Sequence, residues 1–82
     1  MSILLKPITS EKAVRMLDLD NVLMFEVSRQ ERKEPIKKAV EETFNVKVEK
    51  VRTLIRGNKK IAYVKLAKEN LAIDVATKLG MI

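Results

Sequence analysis

Between Val46 and Leu66 the chain reads VKVEKVRTLIRGNKKIAYVKL, and the fold class turns on this stretch. Val46 to Ile55 and Ile61 to Leu66 read as two strands, in which every second residue from Val51 and from Ala62 falls on one side, the period of strands with one buried face. The connection Arg56-Gly57-Asn58-Lys59-Lys60 carries the Gly and Asn that a short hairpin turn requires. The alternation slips between Val48 and Val51, where Glu49 and Lys50 stand together, so either a bulge lies there or the strand begins near Val51. Val51, Thr53, Ile55, Ala62, Val64 and Leu66 are expected on the core face.

Upstream of the hairpin, Pro35 sits where a first helical turn accepts a residue without an N–H, and a helix is predicted from about Glu34 to Phe44. Ile36, Ala39, Val40, Thr43 and Phe44 fall on one side of it; Lys37, Lys38, Glu41 and Glu42 fall on the other. Before that helix, Val22 to Val27 alternates as a strand, with Leu23 and Phe25 inward. Thr9 and Ser10 are hydroxyl caps for a first helix ending between Asp18 and Asp20, with Glu11 in its opening turn. After the hairpin, Asn70 to Leu79 reads as a closing helix with Gly80 as its stop. A strand, a crossover helix and a hairpin whose last strand returns between the other two make a split β-α-β unit. The predicted class is therefore α+β: a ferredoxin-like plait with a three- to four-stranded, mainly antiparallel sheet, helices packed on one face, and residues 1–82 as a single domain.

Composition narrows function. Cys and His are absent from the 82 residues, which removes disulfides, the usual zinc sites, thiol nucleophiles and the commonest general base. No catalytic residue set, metal site or cofactor is expected. No apolar run approaches the roughly 20 residues that span a bilayer, and Met1 to Pro7 is too short for a signal-peptide core, so a cytoplasmic protein without membrane insertion is expected. The formal net charge is +6. Between Val46 and Lys68 stand eight basic residues, Lys47, Lys50, Arg52, Arg56, Lys59, Lys60, Lys65 and Lys68, against the single acid Glu49; the remaining nine basic and ten acidic residues nearly cancel. Charge of one sign concentrated in one stretch suits a polyanion, because each neutralised phosphate releases condensed counterions.

With the core face assigned, the opposite sheet face collects Met24, Glu26, Arg52, Leu54, Arg56, Ile61, Tyr63 and Lys65. Such a surface, partly apolar, with one aromatic ring and basic flanks, suits RNA: bases stack on the ring while Lys and Arg meet phosphates. Tyr63 packing beside Ile61 and Leu54 at a sheet edge accounts for the ring equally well. A single aromatic is too few for an RNA-recognition motif, so positioning on a folded RNA is favoured over reading of a single strand.

Lys6-Pro7-Ile8-Thr9-Ser10-Glu11-Lys12-Ala13 and Asn21-Val22-Leu23-Met24-Phe25-Glu26-Val27 resemble the opening of the large-subunit ribosomal protein family numbered twenty-three. Ile36 to Val48 followed by Val51-Arg52-Thr53, and then Lys59 to Leu66, resemble that family's central helix, next strand and last strand in order and spacing. The resemblance implies a plait bound to large-subunit ribosomal RNA beside the polypeptide exit tunnel. Implied partners are neighbouring large-subunit proteins, among them the family twenty-nine protein, and the signal recognition particle or chaperones that meet nascent chains. Glu11 matches the position of a factor-docking acid, a helix-dipole partner being the alternative. Lys6, Thr9, Ser10 and Lys12 would face RNA together with Lys47, Lys50, Arg52, Arg56, Lys59, Lys60, Tyr63 and Lys65. The short Arg56 to Lys60 connection resembles archaeal and eukaryotic members, and the absence of a basic N-terminal extension points to the archaeal form. Two alternatives stand beside this: an acylphosphatase-like enzyme, although Ser28 to Lys33 has no Gly-containing phosphate loop, and a non-ribosomal RNA or protein interaction module.

Overall fold

The structure is a computed structural model and describes residues 3–80. In chain order it runs β1 (Lys6–Pro7), α1 (Glu11–Leu19), β2 (Val22–Ser28), α2 (Lys33–Phe44), β3 (Val48–Arg56), β4 (Lys59–Leu66) and α3 (Ala72–Lys78). The strands form one sheet in the order β1-β2-β4-β3, every neighbour antiparallel. β4 thus returns between β2 and β3, which makes the split β-α-β unit. The two-residue β1, held by Lys6 opposite Glu26 and Pro7 opposite Phe25, is the fourth strand.

Local chemistry sets each boundary. Ser10 caps α1, its hydroxyl oxygen accepting the Ala13 N–H at 3.2 Å. Asn45 ends α2 in the left-handed conformation at φ 55°. The hairpin turn is tighter than expected: Arg56 pairs with Lys59, leaving Gly57 and Asn58 as its two central residues. Only Gly57 of the two has positive φ, at 64°, the arrangement of a II′ turn, where glycine takes the first central position. The slip in the alternation is a bulge within β3, because the register shifts between Val48 and Lys50 and leaves Glu49 as the extra residue.

The main core lies between α2, α3 and one sheet face, where Phe25, Ile36, Val40, Ala62, Val64, Ala72 and Ala76 are fully excluded from solvent. Phe25 and Phe44 stack with ring centroids 6.0 Å apart, an offset worth about 1 kcal/mol beyond burial. Two expectations about the sheet faces need correction. Ile55 was placed on the core face but is 54% exposed. Opposite Lys60 and one residue from the turn, it lies beyond the helical cover. The other concerns α1, which does not join α2 and α3 on a common face. Leu17 enters the main core, whereas Ala13 and Met16 pack with Met24, Ile61 and Tyr63 on the other side of the sheet. That face is accordingly half covered, with Met24 and Ile61 buried.

Asn21 fastens the ends of these layers together. It adopts φ 57°, its Oδ1 accepts the Ala72 N–H at 2.7 Å, and its Nδ2 donates to the Asn70 carbonyl at 2.8 Å. Leu71, at the N-terminus of α3, supplies no side-chain cap; an asparagine some fifty residues earlier caps the helix instead. Asn70, expected to open α3, lies before it and accepts the Lys47 N–H through Oδ1. Glu41, assigned to the solvated side of α2, is half-buried and accepts the Val48 N–H at 3.0 Å, tying α2 to the start of β3.

Candidate nucleic-acid interface

Register places side chains on faces. Opposite Tyr63 of β4 stand Arg52 on one side and Met24 on the other; opposite Lys65 stand Lys50 and Val22; opposite Ile61 stand Leu54 and Glu26. Since cross-strand partners share a face, Lys50, Arg52, Leu54, Arg56, Lys59, Tyr63 and Lys65 display themselves together. Lys6, opposite Glu26, belongs to the same face at its far edge. α1 lies over the β2 side of this surface, and between α1 and β3 a groove of about 540 Å³ remains open. Lys12, Met16 and Asp20 form one wall, Lys50, Arg52 and Leu54 the other, and Val22, Tyr63 and Lys65 the floor.

Four cations and one carboxylate therefore line a groove whose interior is otherwise largely apolar. The Lys12 ammonium stands 5.8 Å from the centroid of the Tyr63 ring, within reach of a cation–π attraction. Of the groove cations, Lys65 meets Glu49 at 4.0 Å with both side chains about half exposed, a surface contact of little strength. Further along the face Lys59 pairs with Glu26 at 3.4 Å. No side-chain bond or ion pair holds Lys12, Lys50, Arg52 or Arg56 among the described residues, so their charges are available to a ligand.

Other expected contacts lie elsewhere. Lys60 is on the α2 side of the sheet, and its ammonium donates to the Glu31 carbonyl at 2.6 Å. Lys47 precedes β3 and approaches Glu69 at 3.9 Å. Thr9 is exposed ahead of α1, and the Ser10 hydroxyl serves as the cap described above. Glu11 is exposed in the first turn of α1. Met16, Asp20 and Val22 escaped the sequence reading as groove residues. Met16 and Asp20 reach the site only through the way α1 crosses the sheet, which no local signal marks, whereas Val22 stands there by strand register opposite Lys65.

A plait that gathers cations around an aromatic floor, with no cluster of His, Cys, Asp or Glu able to hold a metal among the described residues, defines a small basic binding module. Comparison with known proteins narrows the class. The family model described as Ribosomal protein L23 matches residues 2–72. The large ribosomal subunit protein uL23 of the archaeon Methanothermobacter thermautotrophicus is 46% identical over 82 residues, covering 98% of this chain and 94% of that protein. The chain belongs to the ribosomal protein L23 family, a structural and non-enzymatic family. The acylphosphatase alternative falls with that finding. The segment it required, between β2 and α2, contains no glycine.

Proposed function

We propose that this chain is a structural constituent of the large ribosomal subunit, in the cytoplasm, where residues 1–82 act as one RNA-binding domain. Its groove face binds large-subunit ribosomal RNA near the polypeptide exit tunnel. The observation that carries this reading is the convergence of Lys12, Lys50, Arg52 and Lys65, from three separate elements, around Tyr63 on one surface. Arg56 and Lys59 extend the same surface toward the hairpin turn. Cations spaced along a sheet face meet successive phosphates, and the counterions they release favour association in proportion to the phosphates neutralised.

Neighbouring large-subunit proteins, including the family twenty-nine protein, would flank the domain. Glu11, exposed at the start of α1 and not engaged in an ion pair among the described residues, is the contact for the signal recognition particle or nascent-chain chaperones. The RNA reading is tested by titrating the full chain against large-subunit ribosomal RNA over a range of salt. Arg52→Glu should weaken binding and reduce the salt slope by about one unit. Affinity and slope equal to those of the unaltered protein would refute it.

A further inference from the structure

The groove differs from the rest of the basic face in being concave, and its walls are of two chemical kinds. Met16, Val22, Leu54 and Tyr63 supply an apolar interior; Lys12, Lys50, Arg52 and Lys65 stand around it. A flat polyanion surface needs only the cations. An apolar concavity of about 540 Å³ falls within the roughly 300–1,000 Å³ typical of small-molecule sites. A double helix cannot enter it, since its bases are stacked and its outer surface is phosphate and sugar.

We infer that the groove between α1 and β3 is a pocket for a single unstacked nucleotide of the bound RNA, its base lying on Tyr63 and its phosphate held by Lys50, Arg52 and Lys65. This inference rests on the RNA-binding reading above and specifies what that site takes. Tyr63 is half-buried and packed against Ala13, Met24 and Ile61, so its ring is held in place before any ligand arrives. The ring already attracts one partner, the Lys12 ammonium at 5.8 Å. Lys12 is exposed on a flexible stem and yields its place over the ring to a base while remaining near the phosphate. Asp20 is the one carboxylate in the groove wall, and it makes no side-chain hydrogen bond or ion pair among the described residues. As an acceptor it favours bases with an exocyclic amino group, adenine, cytosine or guanine, over uracil.

The chain contains one Tyr and no Trp, so its intrinsic emission reports on this site directly. Two RNA hairpins with the same stem serve as probes, one fully paired and one carrying a single bulged adenosine, titrated against the full chain. The bulged hairpin should quench the Tyr63 emission and bind about tenfold more tightly, within the range that base stacking on an aromatic side chain provides. A bulged uridine should gain less. Tyr63→Phe should keep the preference for the bulged hairpin, and Tyr63→Ala should remove it. Equal affinities with unchanged Tyr63 emission, while binding still weakens with salt, would overturn the pocket and leave the RNA reading standing. Absence of salt-sensitive binding both to these hairpins and to large-subunit ribosomal RNA would overturn both.

Discussion

Replacing Asn21 with alanine removes two side-chain hydrogen bonds and adds backbone strain, and the structure allows each to be weighed. Loss of the Oδ1 acceptor leaves the first amide of α3 uncapped, which costs about 1 kcal/mol. Loss of the Nδ2 donor frees the part-buried Asn70 carbonyl, a further cost of about 1 kcal/mol. Alanine at φ 57° adds roughly 1 kcal/mol of left-handed strain that asparagine tolerates better. The sum is about 3 kcal/mol, against roughly 4–12 kcal/mol of total stability for a domain this size. Urea unfolding followed by far-UV circular dichroism measures it, and the loss corresponds to a fall in Tm of roughly 12–24 °C. Asn21→Gly separates the contributions, since glycine accepts the backbone conformation without the side-chain bonds; it should be about 1 kcal/mol less damaging than alanine. A loss below about 0.5 kcal/mol for Asn21→Ala, set against the surface-substitution range, would refute the reasoning. So would a glycine variant no better than the alanine one.

Lys60→Met should lower stability by about 1 kcal/mol in the same assay through loss of the Glu31 contact, while weakening RNA binding less than Arg52→Glu does. Equal RNA defects in the two variants would place Lys60 at the interface instead. Phe25→Ala removes a fully buried ring from the main core and should cost about 3–5 kcal/mol, a fall in Tm of roughly 12–40 °C; a cooperative transition near that of the unaltered protein would contradict this core assignment. Glu11→Ala should spare RNA binding yet reduce recruitment of nascent-chain factors to assembled subunits. Unchanged recruitment would leave Glu11 a helix-end residue.

What the sequence made legible follows from the range of the forces involved. Alternation along Val22–Val27 and Ile61–Leu66, the Gly57-Asn58 turn and the Ser10 cap are local signals, and each is reflected in the structure. The bulge near Glu49 was legible for the same reason, since a break in period shows within a few residues. The path of α1 was not. Its helical pattern shows an apolar side, but that Ala13 and Leu17 join different clusters depends on where α1 sits against the sheet, which no local sequence signal marks. The candidate site divides along the same line. Lys50, Arg52, Tyr63 and Lys65 follow from strand alternation alone, whereas Asp20 and Met16 enter the groove only through the position of α1. Lys60 counted toward the basic stretch in the sequence, yet strand parity turns it to the opposite face. Asn21 was invisible as a cap because its partner amide is Ala72.

The central claim is that RNA lies on the groove face of the sheet. Ultraviolet crosslinking within assembled large subunits, with the modified peptides mapped on this chain, tests it most directly. Crosslinks to ribosomal RNA concentrated at Lys12, Lys50, Arg52, Tyr63 and Lys65 are the predicted result. Crosslinks concentrated instead at Lys37 and Lys38, on the exposed side of α2, with none on the groove face, would contradict it.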